Sequence, residues 1–399
     1  MPSLGTSVGG DCATLRRQCN TPLAGERPQG IARGGVSLQS TPGRNQGVTI
    51  TDASPWLRNA VYDLGFFAFP WVPFLLLVVF GLEWHGDFGL AQNRDNFKLI
   101  VPFLFSLNFA HRNYTYVVTY SDKGVFLSRK ILFMLSPLLV FVSIFTVYSY
   151  RHPVFVQLLV TCLALWNLWH NTMQRYGLLR GYAHRLKGGL EQRYHARLDL
   201  ALLWGMVLFT LALGALLHLS MAKSYRLAQP TVKALAPFFA SYPFPIAIAF
   251  SGLLAILWVW WLHAESQVVM PFKQRLPRCL FLLSNGCLLA LCLFNPILGI
   301  FAFGFSHSVE YFAYVHAVQK NKVQKQVYQG AIGSFFWNHI FFSASLLIGP
   351  QILLYYHIAD EILKKDIFLT TFLTGTAAIH FFYDGIIWKK SKRANKWAL

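Results

Sequence analysis

From about Leu64 onward, apolar runs of roughly twenty residues alternate with short polar breaks almost to the C-terminal end. A run of that length, rising 1.5 Å per residue, crosses a bilayer core about 30 Å thick. The pattern predicts about ten transmembrane helices, over residues 64–82, 98–120, 131–150, 154–175, 198–218, 243–263, 278–294, 296–317, 332–355 and 367–388. The expected fold is all-α: a polytopic integral membrane helical bundle forming one domain over 56–399. Asn295-Pro296 reads as either a kink or a turn, and the second span is interrupted by His111 and Arg112.

The first fifty-five residues follow a different pattern. They are rich in Gly, Ser, Pro, Thr and Arg with almost no apolar periodicity, so they bury too little surface to offset their ordering entropy. A disordered tail over 1–55 is expected. No charged start followed by an apolar core and a small-residue cleavage site is present, so a secretory signal peptide is not expected.

Composition supports the membrane reading. The chain has 399 residues, 55% hydrophobic and only 13% charged, too apolar for a soluble globular protein of this size. A net charge of +19 would suit nucleic acid, but the cations fall in clusters between apolar segments, which is how the positive-inside rule distributes them. No nucleic-acid partner is expected; anionic lipid headgroups at the cytoplasmic face are. Arg175, Arg180, Arg185 and Lys187 group in one such loop, Lys273, Arg275 and Arg278 in another, and KKSKRANK closes the chain. Every second loop is basic, which predicts cytoplasmic termini in a bacterial inner membrane. The six cysteines form no CxxC and no regular spacing, hence neither a disulfide framework nor a zinc site.

Four histidines lie inside apolar spans: His111 in NFAHRNYT, His170 in LWHNTMQRYG, His307 in FGFSHSVEYFAYVH and His380 in IHFFYDG. All four spans are even-numbered, and each histidine follows the start of its span by about 11 to 16 residues, or roughly 17 to 24 Å of depth. One turn further on each has a polar residue: Thr115, Gln174, Tyr311 with Glu310 beside it, and Asp384. Residues four apart share a helix face, so the pattern predicts a polar layer inside a bundle. A single intramembrane histidine is commonly an interhelical hydrogen-bonding residue; four at one depth point to a metal site. Imidazole suits Fe, Zn, Cu and Ni alike. A membrane transporter or proton pathway using the same histidines is the alternative, although no internal repeat supports it.

There is no HEXXH, no Gly-rich phosphate loop, no GxSxG turn and no HxxxH/HxxHH set. Single histidines on separate helices, in the four stretches quoted, resemble the bacterial and archaeal Brp/Blh-like carotenoid dioxygenases, all-helical membrane proteins that cleave β-carotene. The resemblance covers short boxes between about residues 100 and 390. It implies that His111, His170, His307 and His380 are ligands of a non-haem Fe(II), with O2 as co-substrate. Where that family tends to place a second histidine in its third box, this chain has Tyr311, with Glu310 one residue earlier, and the chain is longer. The expected function is a metal-dependent membrane oxidoreductase, a non-haem iron oxygenase acting on a carotenoid, isoprenoid or lipid substrate drawn from the bilayer. Tyr311, Glu310, Gln174 and Asp384 would orient the ligands or bound oxygen through hydrogen bonds.

Overall fold

The computed structural model describes residues 54–81, 94–186, 190, 192–222, 241–324 and 367–387, with isolated positions between 335 and 350. Among them every regular element is helical. The chain begins with α1 (Ala60–Ala68) and α2 (Trp71–Gly81), bent by 57° where Phe69 and Pro70 interrupt them. Pro70 lacks the N–H that a continuous helix would need there. The remaining helices are α3 (Arg94–Ser121), α4 (Lys123–Ser128), α5 (Lys130–Tyr150), α6 (Pro153–Leu186), α7 (Arg193–Ala222), α8 (Pro243–Ser266), α9 (Phe272–Phe294), α10 (Pro296–Gln324) and α11 (Ile367–Ile387). Asp122 caps α4 by accepting from Gly124 N and Val125 N. Arg151, at φ 50°, supplies the left-handed step that turns α5 into α6.

Five helices, α5 to α9, are long and apolar enough to cross a membrane, and α1 with α2 makes a sixth if the bent pair is one span. This is a membrane protein. The helices covering the expected spans 98–120, 296–317 and 367–388 are α3, α10 and α11, which are not among those five. They carry His111, His307 and His380, and polar groups there dilute the apolar character on which the expected count of ten relied. Most of the expected span 332–355, the C-terminal basic cluster and nearly all of the expected tail over 1–55 lie outside the described residues.

At Asn295-Pro296 the chain turns rather than kinks. A Cβ on Gly299 would lie 2.5 Å from Cys292 Cα, although residues seven apart in one helix are separated by about 10 Å along its axis. The two helices are therefore folded back on each other. Asn295 accepts from Leu298 N at 3.1 Å and Pro296 opens α10, the residue types that favour a helix start.

The loop cations need a correction. The expected fourth span ends at 175, but α6 continues to Leu186, so Arg175 and Arg180 lie on the helix and are buried. Arg180 pairs with Asp199 of α7 at 2.9 Å and donates to Leu190 O at 2.8 Å. Arg278 of α9 bonds to both Asp199 and Glu265 of α8, and Trp261 Nε1 donates to Asp199 at 3.0 Å. The network ties α6, α7, α8 and α9 together where sequence pattern suggested solvated headgroup contacts. Each buried charge has an opposite partner, which makes its burial tolerable.

Close approach at the α9–α10 turn gives a test. Gly299→Ala should lower the thermal unfolding midpoint in detergent, because overpacking of about 1–3 kcal/mol exceeds the gain of about 1 kcal/mol in helix propensity. Gly252→Ala on α8, where an added Cβ meets nothing within 4 Å, should match or exceed the parent. Equal midpoints for both variants would show that the turn is looser than described.

Candidate metal centre

Helices α3, α6, α10 and α11 each contribute one histidine to a common buried spot. His111, His170, His307 and His380 are 1%, 5%, 3% and 0% exposed. Ring centroids lie 4.3 Å apart for His111–His380, 4.6 Å for His111–His307, 4.8 Å for His170–His380 and 5.2 Å for His170–His307. Packing of α3 and α11 on α10 and α6 brings together residues up to 269 positions apart, as in the Thr115–Asp384 hydrogen bond.

Proton accounting identifies which atoms remain for a ligand. Thr115 Oγ1 donates to Asp384 Oδ1 at 2.9 Å, and Tyr311 OH donates to the same oxygen at 2.9 Å. With its one proton given to the carboxylate, the Thr115 hydroxyl accepts from His380 Nδ1 at 2.7 Å; it also lies in short contact with Tyr311 OH. His380 then carries its proton on Nδ1, leaving a lone pair on Nε2. This Nε2 is 3.3 Å from His170 Nε2 and 3.7 Å from Asp384 Oδ2, and His170 Nε2 is 3.8 Å from that oxygen. The point equidistant from all three atoms lies about 2 Å from each, the length of a metal–nitrogen or metal–oxygen bond.

His111 completes the group. Neither of its ring nitrogens has a hydrogen-bond partner although the residue is buried, a costly state for an imidazole unless something binds it. One ligand atom from each of His111, His170, His380 and Asp384 lies within 4.8 Å of the others, so these four could hold a metal ion. Three imidazoles and one carboxylate suit iron, zinc or manganese rather than a soft thiophilic ion.

The other residues singled out from sequence fall around this group. His307 packs edge-on against His111 and His170, outside the group of four, with its Nδ1 unpartnered. Asp384, expected to support the ligands, has Oδ2 among them. Tyr311 holds Asp384 and lies edge-on to His111 at 4.3 Å. Gln174 donates to His307 O at 3.1 Å. Glu310 is bonded to Arg175 at 2.9 Å and to Ser306 at 2.6 Å, and Arg175 reaches Asn285 at 2.5 Å. Glu310 therefore neutralises a buried guanidinium instead of joining the group of four. Sequence reasoning missed this Arg175 cluster. Its signal was present: Arg175 sits five residues after His170 and Glu310 three after His307, on spans both expected to face the polar layer.

A scan against protein-family models gives no match, and searches of curated proteins and of solved structures give none either.

Thr115 is the residue whose loss tests this site most sharply. Thr115→Val keeps the shape, removes the hydroxyl between His380 and Asp384, and should weaken metal binding by about 10- to 100-fold while leaving the helical circular dichroism intact. Metal titration of the stripped protein reads the change. Unaltered affinity would mean that Thr115 does not orient either group.

Proposed function

We propose that this protein is an integral membrane metal-dependent oxidoreductase, a non-haem iron oxygenase acting on an apolar carotenoid, isoprenoid or lipid substrate that enters from the bilayer. The observation carrying this reading is His111, buried with both ring nitrogens unpartnered, beside one atom each from His170, His380 and Asp384 gathered around one point. Bound there, a ferrous ion would supply the redox chemistry by which O2 is brought to react with an apolar molecule.

The chain's own residues would prepare that reaction. Thr115 fixes the tautomer of His380 and, with Tyr311, occupies one oxygen of Asp384 so that the other faces the imidazoles. Neutral imidazoles leave most of the metal's charge uncompensated, and the single carboxylate offsets part of it. Phe381, its ring 5.0 Å from that of His170 and 5.5 Å from that of His380, adds an apolar neighbour to this buried group. An apolar substrate needs only packing to bind beside such a site.

The full topology belongs to the same proposal. In it α3, α10 and α11 also cross the membrane, their polar groups turned inward, a further span lies near 332–355, and both termini face the cytoplasm of a bacterial plasma membrane.

Two measurements test the proposal. Protein purified in detergent should contain close to one transition metal ion per chain, iron when expression is iron-replete, and His111→Ala, His170→Ala and His380→Ala should each lose most of it. Folded wild-type protein that stays metal-free after anaerobic incubation with Fe(II), Zn(II) and Mn(II) would sink the enzyme reading. A cysteine placed at Arg185, in a background without native cysteines, should resist an impermeant thiol reagent in intact cells; labelling there would invert the topology.

A further inference from the structure

The surface of α5 carries a feature that the metal centre does not use. From the α4–α5 junction a trough of about 780 Å³ runs along α5 as far as Val140, with Trp166 of α6 and Phe382 of α11 on its other wall. That volume is within the roughly 300–1,000 Å³ of small-molecule sites. Its ends differ in chemistry. Arg129 and Lys130, both exposed, stand at the junction, whereas leucines such as Leu135 and Leu139 line the length beyond them, and no acidic residue is in the lining. The distance from Arg129 to Val140 along a helix is about 16 Å, roughly half the thickness of a bilayer core.

The apolar end approaches the metal centre. Trp166 precedes His170 by one turn on α6, and Phe382 follows His380 by two residues on α11. Between them Phe381 contacts Trp166 at 5.9 Å and His170 at 5.0 Å. A molecule seated against Trp166 is thus one aromatic layer from the imidazoles.

We propose that the trough binds one anionic phospholipid of the surrounding bilayer. Its phosphate sits on Arg129 and Lys130, and one acyl chain runs along Leu135 and Leu139 to end against Trp166 and Phe382. Paired cations beside an apolar channel match a phosphate bearing a long chain, through charge-assisted hydrogen bonds at one end and burial at the other. A pure hydrocarbon would gain nothing from the cations. The consequence for catalysis rests on reading the His/Asp group as a reaction centre: the substrate class is then a lipid acyl chain held within reach of that centre.

The test uses the full chain in detergent and phospholipids whose acyl chains carry bromine, which quenches tryptophan on contact. The protein has 12 tryptophans, so the Trp166→Phe variant isolates the Trp166 contribution by difference. Brominated phosphatidylglycerol should quench that contribution at a concentration on the order of tenfold or more below brominated phosphatidylcholine, given about fivefold for each cation. The Arg129→Gln/Lys130→Gln double variant should lose the preference. Equal quenching by both lipids, a preference that survives the double variant, or quenching unaffected by Trp166→Phe would overturn the proposal. Metal content measured on the same samples keeps the two ideas apart. A lipid preference without bound metal sustains the trough and removes the reaction centre; bound metal without the preference removes the trough alone.

Discussion

A polar group surrounded by apolar atoms must find a partner, and in a bilayer water is not at hand to provide one. That constraint organises this protein. Among the described residues, two layers of buried polar side chains stand out, each costly to bury singly. Most of these side chains are tolerated because helices from distant parts of the chain bring a complement to them. In one layer Asp199 and Glu265 answer Arg180 and Arg278; in the other Asp384 is answered by Thr115 and Tyr311.

The two layers differ in kind: one pairs charges, the other gathers imidazoles beside a carboxylate. Around Asp199 each guanidinium meets a carboxylate, and an indole N–H takes a further lone pair. Breaking such a buried pair costs about 3–5 kcal/mol because one charge is stranded, so the layer acts as a fastening between α6, α7, α8 and α9. Around the histidines, the hydroxyls and carboxylate support one another while atoms of His170, His380 and Asp384 converge and neither ring nitrogen of His111 has a hydrogen-bond partner. These atoms are the ones that the proposed metal ion would take up. The Glu310–Arg175 pair between α10 and α6 stands next to this group and joins the two helices through an ion pair at 2.9 Å.

The same constraint explains why three of the four histidine-bearing helices, α3, α10 and α11, are not among the helices that length and composition mark as spans. Helices α5 and α8 bury little of themselves and present leucine, isoleucine and phenylalanine outward, so length and composition mark them at once. Helices α3, α10 and α11 give a face to the polar group, and their average character falls with it.

Much of this was legible in the sequence. The spacing of apolar runs located the helices to within a few residues for α5 and α11, and His111, His170, His307 and His380 stood out as polar residues at a common depth on separate spans. Local rules suffice for such features, because helical rise and the apolar run length set depth without reference to any neighbour. What the sequence left open was rotation and partnership. Nothing in the linear order says that Asp384 turns one oxygen to Thr115 and Tyr311 and the other to two imidazoles. Nor does it say that Arg180 and Arg278, read as loop cations, bury themselves on a single aspartate, or that Gly299 rests on Cys292. These depend on which faces of which helices meet, and that is decided by the joint packing of residues up to 269 positions apart, since a buried charge can be placed only where its partner from another helix already stands.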